Sequence, residues 1–459
     1  MALLIQNGEI VTADSRYVAD IWCENETITA IGKNLPVPQD AHVIDARGKL
    51  VFPGFVDPHT HIYLYAMGTY AKDTYETGTI AALCGGTTTL IDFVNPQRQE
   101  GSLEALEKWR QQTVNPCCDY TCHMTVSHLD AQIENELREV VLQHGITSFK
   151  IFFAYKDFLG MNDGDIYKTL LLAKELGVVT AAHCENAHII DIRQQQFVDD
   201  KKLTTEYHHH SRPPILEAEG THRLCVMSEL IGGEVYVVHL SCEEALQKVI
   251  AAKMRGVNIH AETLIQYLLL DKSHAELPNF EGAKYIMSPP LRDKKNQKIL
   301  WNALHQGFLA TVATDHAPFD WQQRQMGKEN FCNIPNGIPS LEDRIRLLYT
   351  HGVNTGKIDI HRFVDVASTR AAKIFGLFPR KGTIQVGCDA DLVIYDPHVE
   401  ETISANTHHM NIDYSVFEGI KVKGRCHAVT VRGHVQVRDG QFTGQKGIGK
   451  FLKRQPRSH

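Results

Sequence analysis

Residues 50–61 read Leu50-Val51-Phe52-Pro53-Gly54-Phe55-Val56-Asp57-Pro58-His59-Thr60-His61, an apolar β-type run that ends in two histidines separated by one residue. On an extended segment, residues two apart project to the same side, so His59 and His61 present their imidazoles together and can grip one cation. Alone, such a pair says little in a chain with 25 histidines. Its weight comes from the pattern of the chain beyond it. Further apolar, β-branched runs lie at 87–95, 119–126, 147–153, 178–185, 234–241, 257–263 and 310–316. Amphipathic helical stretches separate them, among them 103–112, 166–176, 215–231 and 243–255, each closed by polar or glycine punctuation. This alternation predicts an α/β fold, a (β/α)8 TIM barrel, with a doubly wound open sheet as the alternative.

Outside this middle the pattern changes. The N-terminal stretch Leu3-Leu4-Ile5-Gln6-Asn7-Gly8-Glu9-Ile10-Val11 predicts a hairpin turning at Asn-Gly. Toward the other end come β-type runs at 391–395, 428–431 and 435–442, the last turning at Asp439-Gly440. Two β-rich ends around a different middle predict a small β-sandwich domain assembled from both termini. The expected division is 1–52 and 376–459 for that domain, with the barrel at 53–375. The basic stretch at 450–457 is read as a solvated tail.

Composition excludes several classes. The 459 residues are 43% hydrophobic and 22% charged, enough to bury a large core. Lys plus Arg number 47 against 54 Asp plus Glu, a net charge of −7, so neither nucleic acid nor a membrane surface is an expected partner. The opening residues lack the charged and apolar segments of a signal peptide, and no apolar run is long enough to span a bilayer, so a cytoplasmic protein is expected. The eleven cysteines are scattered without CxxC spacing, several inside apolar runs, which predicts reduced thiols.

The active site of a TIM barrel sits at the C-terminal ends of its strands. The polar residues there are His59 and His61, Lys150, His183, His239 and Asp315. A polar group in such apolar sequence is costly unless paired, and imidazoles with a carboxylate around one barrel mouth make a metal site with N and O ligands. Lys150, in Ser148-Phe149-Lys150-Ile151-Phe152-Phe153, would set an ammonium beside cations. Either it faces outward and snorkels over the helices, or its amine is neutral and reacts with CO2 to give a carbamate, whose two oxygens can bridge two metals. Cys184 follows His183 but should point the other way and has no His-based dyad, so it is not a nucleophile.

These residues lie in Gly54 to His61, Ser148-Phe149-Lys150, Ala182-His183-Cys184-Glu185-Asn186, Val238-His239-Leu240-Ser241, Ser288-Pro289-Pro290-Leu291-Arg292 and Thr314-Asp315-His316. With Gly387-Cys388-Asp389-Ala390-Asp391-Leu392-Val393, this set resembles the cyclic amidohydrolases, specifically the D-hydantoinase and dihydropyrimidinase branch, over nearly the whole chain. The resemblance implies ring opening of cyclic amides and imides, two divalent ions (zinc, with manganese as the alternative) and a homotetramer, with a dimer as the alternative. Carried over by position, His59, His61, Asp315 and Lys150 as its N-carboxylate hold one metal; the carbamate, His183 and His239 hold the other, with a hydroxide between them. Asp315 is then the proton carrier and Tyr155 the donor to the tetrahedral oxyanion. Ser288 and Asn336 match substrate-positioning residues, and Phe152 and Leu159 match pocket residues; many members have Gly where Ser340 stands.

The loops after runs one and four carry Tyr63, Leu64, Tyr65 and Met67, then Phe152, Phe153, Phe158 and Leu159, a lining that favours a bulky apolar substituent. Dihydroorotases carry Arg where Tyr63 stands, which disfavours that branch. An allantoinase, with its neutral ureide arm, is one alternative. A non-enzymatic dihydropyrimidinase-related interaction protein is the other, set aside because every ligand position is filled.

Overall fold

The structure is a computed structural model that describes residues 2–37, 40–156 and 158–457. Strands β1 Phe55–Asp57, β2 Thr87–Val94, β3 Asp119–Thr125, β4 Ser148–Phe152, β5 Val179–His183, β6 Val235–Val237, β7 Ile259–Leu264 and β8 Thr311–Ala313 pair in sequence order, all parallel. Just beyond β1 and β8 the sheet closes: Thr60 bridges His316, the Asp315 amide donates to His59 O at 2.9 Å, and the His61 amide donates to His316 O at 2.9 Å. The open-sheet alternative is thereby excluded. Helices Ser102–Gln112, Asp163–Glu175, Pro214–Ile231 and Glu243–Met254 stand where amphipathic periodicity places them. Strands β2 to β5 are buried along their whole length, because helices cover one face and the barrel interior the other.

Both ends of the chain form a second, mixed sheet. Strand Leu50–Pro53 lies between Leu3–Val11 and Leu392–Thr402, joining N-terminal to C-terminal strands. The run at 50–61 is therefore not one barrel strand: it divides at Gly54, whose amide donates to Asp391 O at 2.8 Å. Leu3–Val11 is likewise one strand rather than a hairpin. Asn7, at φ +60, serves a register shift between Ile5 and Gly8, and its amide donates to Asp20 Oδ1 at 2.8 Å. A left-handed residue suits a bulge as well as a turn, and partners on both sides of the strand select the bulge. At Asp439-Gly440 the expected hairpin does form, with Arg438 opposite Gln441.

Barrel and terminal sheet meet around a buried cation. Lys381 lies 2.7 Å from Asp119 of β3, 3.0 Å from Asp389 and 2.6 Å from Asp391, and Arg432 adds a second contact to Asp119. The Gly387 to Val393 segment thus supplies acids that would be prohibitive to bury without Lys381.

The basic stretch at 450–457 is solvated in its Lys450, Lys453 and Arg457 side chains, but it is not a free tail. Leu452 and Arg454 are buried, and the segment runs beneath the N-terminal ends of β3, β4 and β5. Among the described residues no helix is long and apolar enough to cross a membrane, and all eleven cysteines are free thiols.

Candidate metal centre

A cavity of about 490 Å³ opens at the C-terminal end of the barrel. It is lined by His59, His61, Lys150, His183, His239 and Asp315, and also by Tyr155, Ser288, Asn336, Phe152 and Leu159. All of the residues singled out for chemistry therefore face one space, although they come from strand ends and loops spread over much of the chain. Asp315 Oδ1 lies 3.1 Å from His59 Nε2 and 3.0 Å from His61 Nε2. One ligand atom from each of these residues falls within 4.8 Å of the others. The His183 ring lies 4.5 Å from that of His239, which in turn is 5.5 Å from His59. Lys150 points inward, its Nζ 5.1 Å from the Phe93 ring and 4.8 Å from the Phe152 ring.

Backbone conformation aims several of these groups. His239, Asp315 and Tyr155 have φ of +40, +49 and +58, where side chains other than glycine pay a steric cost. Their strands end before them, and the left-handed turn swings each side chain over the barrel axis. Clustering of such residues at a mouth is characteristic of functional sites.

The donor set fits a divalent cation. Burial depresses His61, His183 and His239, so their imidazoles are neutral, the form that binds metal. Burial also opposes charge on His59, yet Asp315 and Glu262 together raise it to about 9. Two carboxylates around one imidazole call for a positive charge at that point, which a metal ion supplies in place of a proton. Asp315, despite its burial, is held well below the usual carboxylate range by His59 and His61 and is ionised.

Sequence reasoning missed the carboxylates behind the imidazoles. Glu262 of β7 is 2.7 Å from His59 Nδ1, accepts the His239 amide at 3.0 Å and accepts the Tyr236 hydroxyl at 2.8 Å. Glu185 is 2.7 Å from His183 Nε2 and pairs with Arg212 at 2.6 Å; burial opposes its ionisation, but Arg212 and His183 bring it to about 2. With Nδ1 of His59 and Nε2 of His183 so engaged, Nε2 of His59 and Nδ1 of His183 are the ring nitrogens left to face the cavity. Asp57, which accepts the His59 amide and the Thr314 hydroxyl, lies 3.7 Å from Arg344, whose guanidinium also donates to carbonyls of β1 and β8. A signal existed for Glu262: like Lys150, it is a charged residue inside an apolar run.

In the loops, Asn336 Nδ2 donates to Ser288 Oγ at 3.2 Å, and both residues line the cavity beside Tyr155. Arg212 lies over the other side of Tyr155, 5.6 Å from its ring. Ser340 is buried; its amide donates to His316 Nδ1 and its hydroxyl to Thr314 O, so backbone and side chain together brace the segment beside Asp315. Cys184 is buried, its thiol turned to Ala182 O.

The profile of the amidohydrolase family matches residues 50–435. The D-hydantoinase of Geobacillus stearothermophilus is 49% identical over 456 residues, covering 99% of this chain and 97% of the relative. A solved D-hydantoinase (dihydropyrimidinase) from Thermus sp. superposes with a TM-score of 0.98 at 59% identity, covering 99% of each chain. The dihydropyrimidinase from Brevibacillus agri NCHU1002 gives 0.98 at 44% identity over the whole of both. This chain belongs to the amidohydrolase family, in its D-hydantoinase and dihydropyrimidinase branch.

As an amidohydrolase it is a metal-binding hydrolase, and His59, His61 and Asp315 are the ligand group its geometry defines. Glu262→Gln tests how far such a site leans on the carboxylate behind it. The amide keeps the shape and removes the charge facing His59, so metal affinity is expected to fall about 10- to 100-fold. Competition against a chromophoric chelator measures it; wild-type affinity would show that Glu262 only fills space.

Proposed function

We propose that this amidohydrolase opens the rings of cyclic amides and imides, converting 5-substituted hydantoins to N-carbamoyl amino acids and dihydropyrimidines to N-carbamoyl β-amino acids. The observation that carries the reading is the meeting, in one cavity, of the His59, His61 and Asp315 group with two further neutral imidazoles and an inward lysine. The D-hydantoinases and dihydropyrimidinases to which the chain is similar supply the substrate class.

In this reading Lys150 is N-carboxylated. Its amine is buried against aromatic rings, and burial lowers it to about 8, so a reactive neutral fraction exists near neutral pH. His59, His61, Asp315 and the carbamate would hold one divalent ion, the carbamate, His183 and His239 a second, with zinc proposed and manganese as the alternative. Bound there, the ions supply Lewis acidity and lower the pKa of water toward 7. Asp315, ionised and at the centre of the mouth, takes the proton from the attacking water and returns it to the ring nitrogen as the C–N bond breaks. Tyr155 donates its phenol hydrogen to the oxyanion; burial raises its pKa, so it stays protonated. Ser288 and Asn336 hold the ring's polar edge.

Phe152 and Leu159 are buried in the wall and would pack the substituent, while Tyr65, Met67, Tyr70 and Phe158 stand exposed at the rim. The same reading assigns residues 53–375 to the hydrolase barrel, 1–52 and 376–459 to the terminal domain, and the protein to the cytoplasm. It also makes the protein a homotetramer, with a dimer as the alternative. Ile215, Val226 and Leu230, exposed along helix Pro214–Ile231, are apolar groups that subunit contact would cover.

Dihydrouracil, 5-phenylhydantoin and allantoin assayed side by side, with metal analysis of the same preparation, test the function. Opening of the first two, with 5-phenylhydantoin preferred, is expected. Bound zinc with none of the three rings opened would sink the substrate assignment. Allantoin opened in preference to both would move the protein to the allantoinase reading.

A further inference from the structure

The segment at 449–457 is built into the floor of the barrel. The Gly449 amide donates to Pro116 O, Leu452 to Tyr120 O, Arg454 to Gly145 O and Arg457 to Gly177 O, each at 2.8 to 2.9 Å. The receiving turns are shaped for it. Gly145 and Gly177 have φ of +69 and +65, and a Cβ there would lie 2.7 Å from Lys453 Cβ and 2.4 Å from Arg457 O.

Arg454 turns upward into the barrel axis. Its guanidinium donates to Ser148 Oγ at 3.0 Å, to Phe375 O at 3.4 Å and to Cys122 O, and its Nε has no partner. Among the described residues it forms no ion pair, and burial lowers it to about 10. A buried guanidinium without a counter-charge is a poor device for stability; an apolar plug would serve better. What it does provide is direction. Arginine can only donate, so Ser148 Oγ accepts from it and turns its own hydrogen toward His123 Nδ1, 2.6 Å away. That makes Nε2 the protonated nitrogen of His123, and Nε2 donates to Pro58 O at 3.0 Å. Pro58 immediately precedes His59. Ser148 lies two residues before Lys150, on the same face of β4. Phe93 fills the layer between, its ring 4.7 Å from His123, His59 and His61 alike.

We propose that Arg454 is a positioning residue of the metal centre, acting through Ser148 and His123 to fix the Pro58 carbonyl and with it the His59–His61 grip. This rests on the metal-site reading above. It gives the C-terminal strap a task beyond stability, which is the usual contribution of a barrel's lower face. Without Arg454, Ser148 loses its obligatory donor and is free to turn its hydrogen away from His123 Nδ1, so the Pro58 carbonyl alone is left to hold the Nε2–H tautomer and the ring is held from one side only.

The test compares Arg454→Met with Arg457→Ala, which loosens the strap without touching the barrel interior. Zinc release into excess chelator, zinc content, kcat, KM and thermal midpoint are measured on each full-length protein at an equal interval below its own midpoint. Arg454→Met is expected to release zinc about tenfold faster and to lose about tenfold in kcat with KM changed less than about twofold. Arg457→Ala is expected to lower the midpoint alone. Methylguanidine should restore slow release to Arg454→Met and do nothing for Arg457→Ala. Ser148→Ala breaks the same relay from within and should release zinc as fast as Arg454→Met; it decides the matter if that variant does not fold. Wild-type release from either relay variant, or losses no greater than those of Arg457→Ala, would overturn the inference while leaving the metal site standing. Failure of the unaltered protein to bind either zinc or manganese would remove both.

Discussion

Lys150→Ala is expected to leave the barrel folded, to empty the metal centre and to lower ring opening on the order of a thousandfold or more. The side chain is 1% exposed, and as a plain ammonium its desolvation cost outweighs what the rings of Phe93 and Phe152 and the charges of Asp315 and Glu262 return. Removing it should therefore leave the thermal midpoint of the metal-free protein unchanged or raise it by relief of that burial; a fall would point instead to a packing role. As a carbamate the same side chain would be the one group shared by both ions, and alanine would take a ligand from each. Short carboxylic acids, small enough to enter the space left behind and carrying two oxygens, should partly restore metal content and activity together. Full activity in Lys150→Ala would end the bridging role.

The second large effect is expected from Asp315→Asn. The amide is nearly isosteric, so the contacts of 3.1 and 3.0 Å to His59 and His61 can persist while the charge that balances them is gone. Two functions fail at once. The ligand group loses its carboxylate, and the proton from the attacking water has no acceptor, because asparagine cannot take it up near neutral pH. A loss on the order of a thousandfold in kcat is expected, with KM changed far less, since Ser288, Asn336 and the apolar wall do not depend on that charge. Steady-state kinetics with metal analysis separates the two: variant enzyme reloaded with zinc and still inactive isolates the proton-carrying role. Activity within tenfold of the unaltered enzyme would show that another group carries the proton.

Residue types at strand ends are legible because a buried strand admits few polar side chains, and each exception marks itself. His183, His239 and Asp315 stand out in that way, and Glu262 in run seven carries the same mark. Ser288 and Asn336 carry no such signal: both lie in loops, 48 residues apart, and only folding brings their side chains to 3.2 Å. Two local readings fail for local reasons. Asn7-Gly8 favours a left-handed turn wherever it occurs, and neighbouring strands decide that it is a bulge. The basic composition at 450–457 resembles a solvated tail, and Lys450, Lys453 and Arg457 are exposed; of the basic side chains Arg454 alone is buried, because the carbonyls of Cys122 and Phe375 wait at its tip.

What the sequence by itself determined is periodic and local: alternating strands and helices, a barrel, and imidazoles placed two apart or at strand ends so that they look one way. The tertiary structure alone decided which acid stands behind which imidazole, where the barrel seals, and that residues 449–457 reach beneath the barrel. The reason is range. His59 meets Glu262 across 203 residues and Arg454 meets Ser148 across 306, distances over which no periodicity carries information and only closure of the sheet upon itself sets the contact.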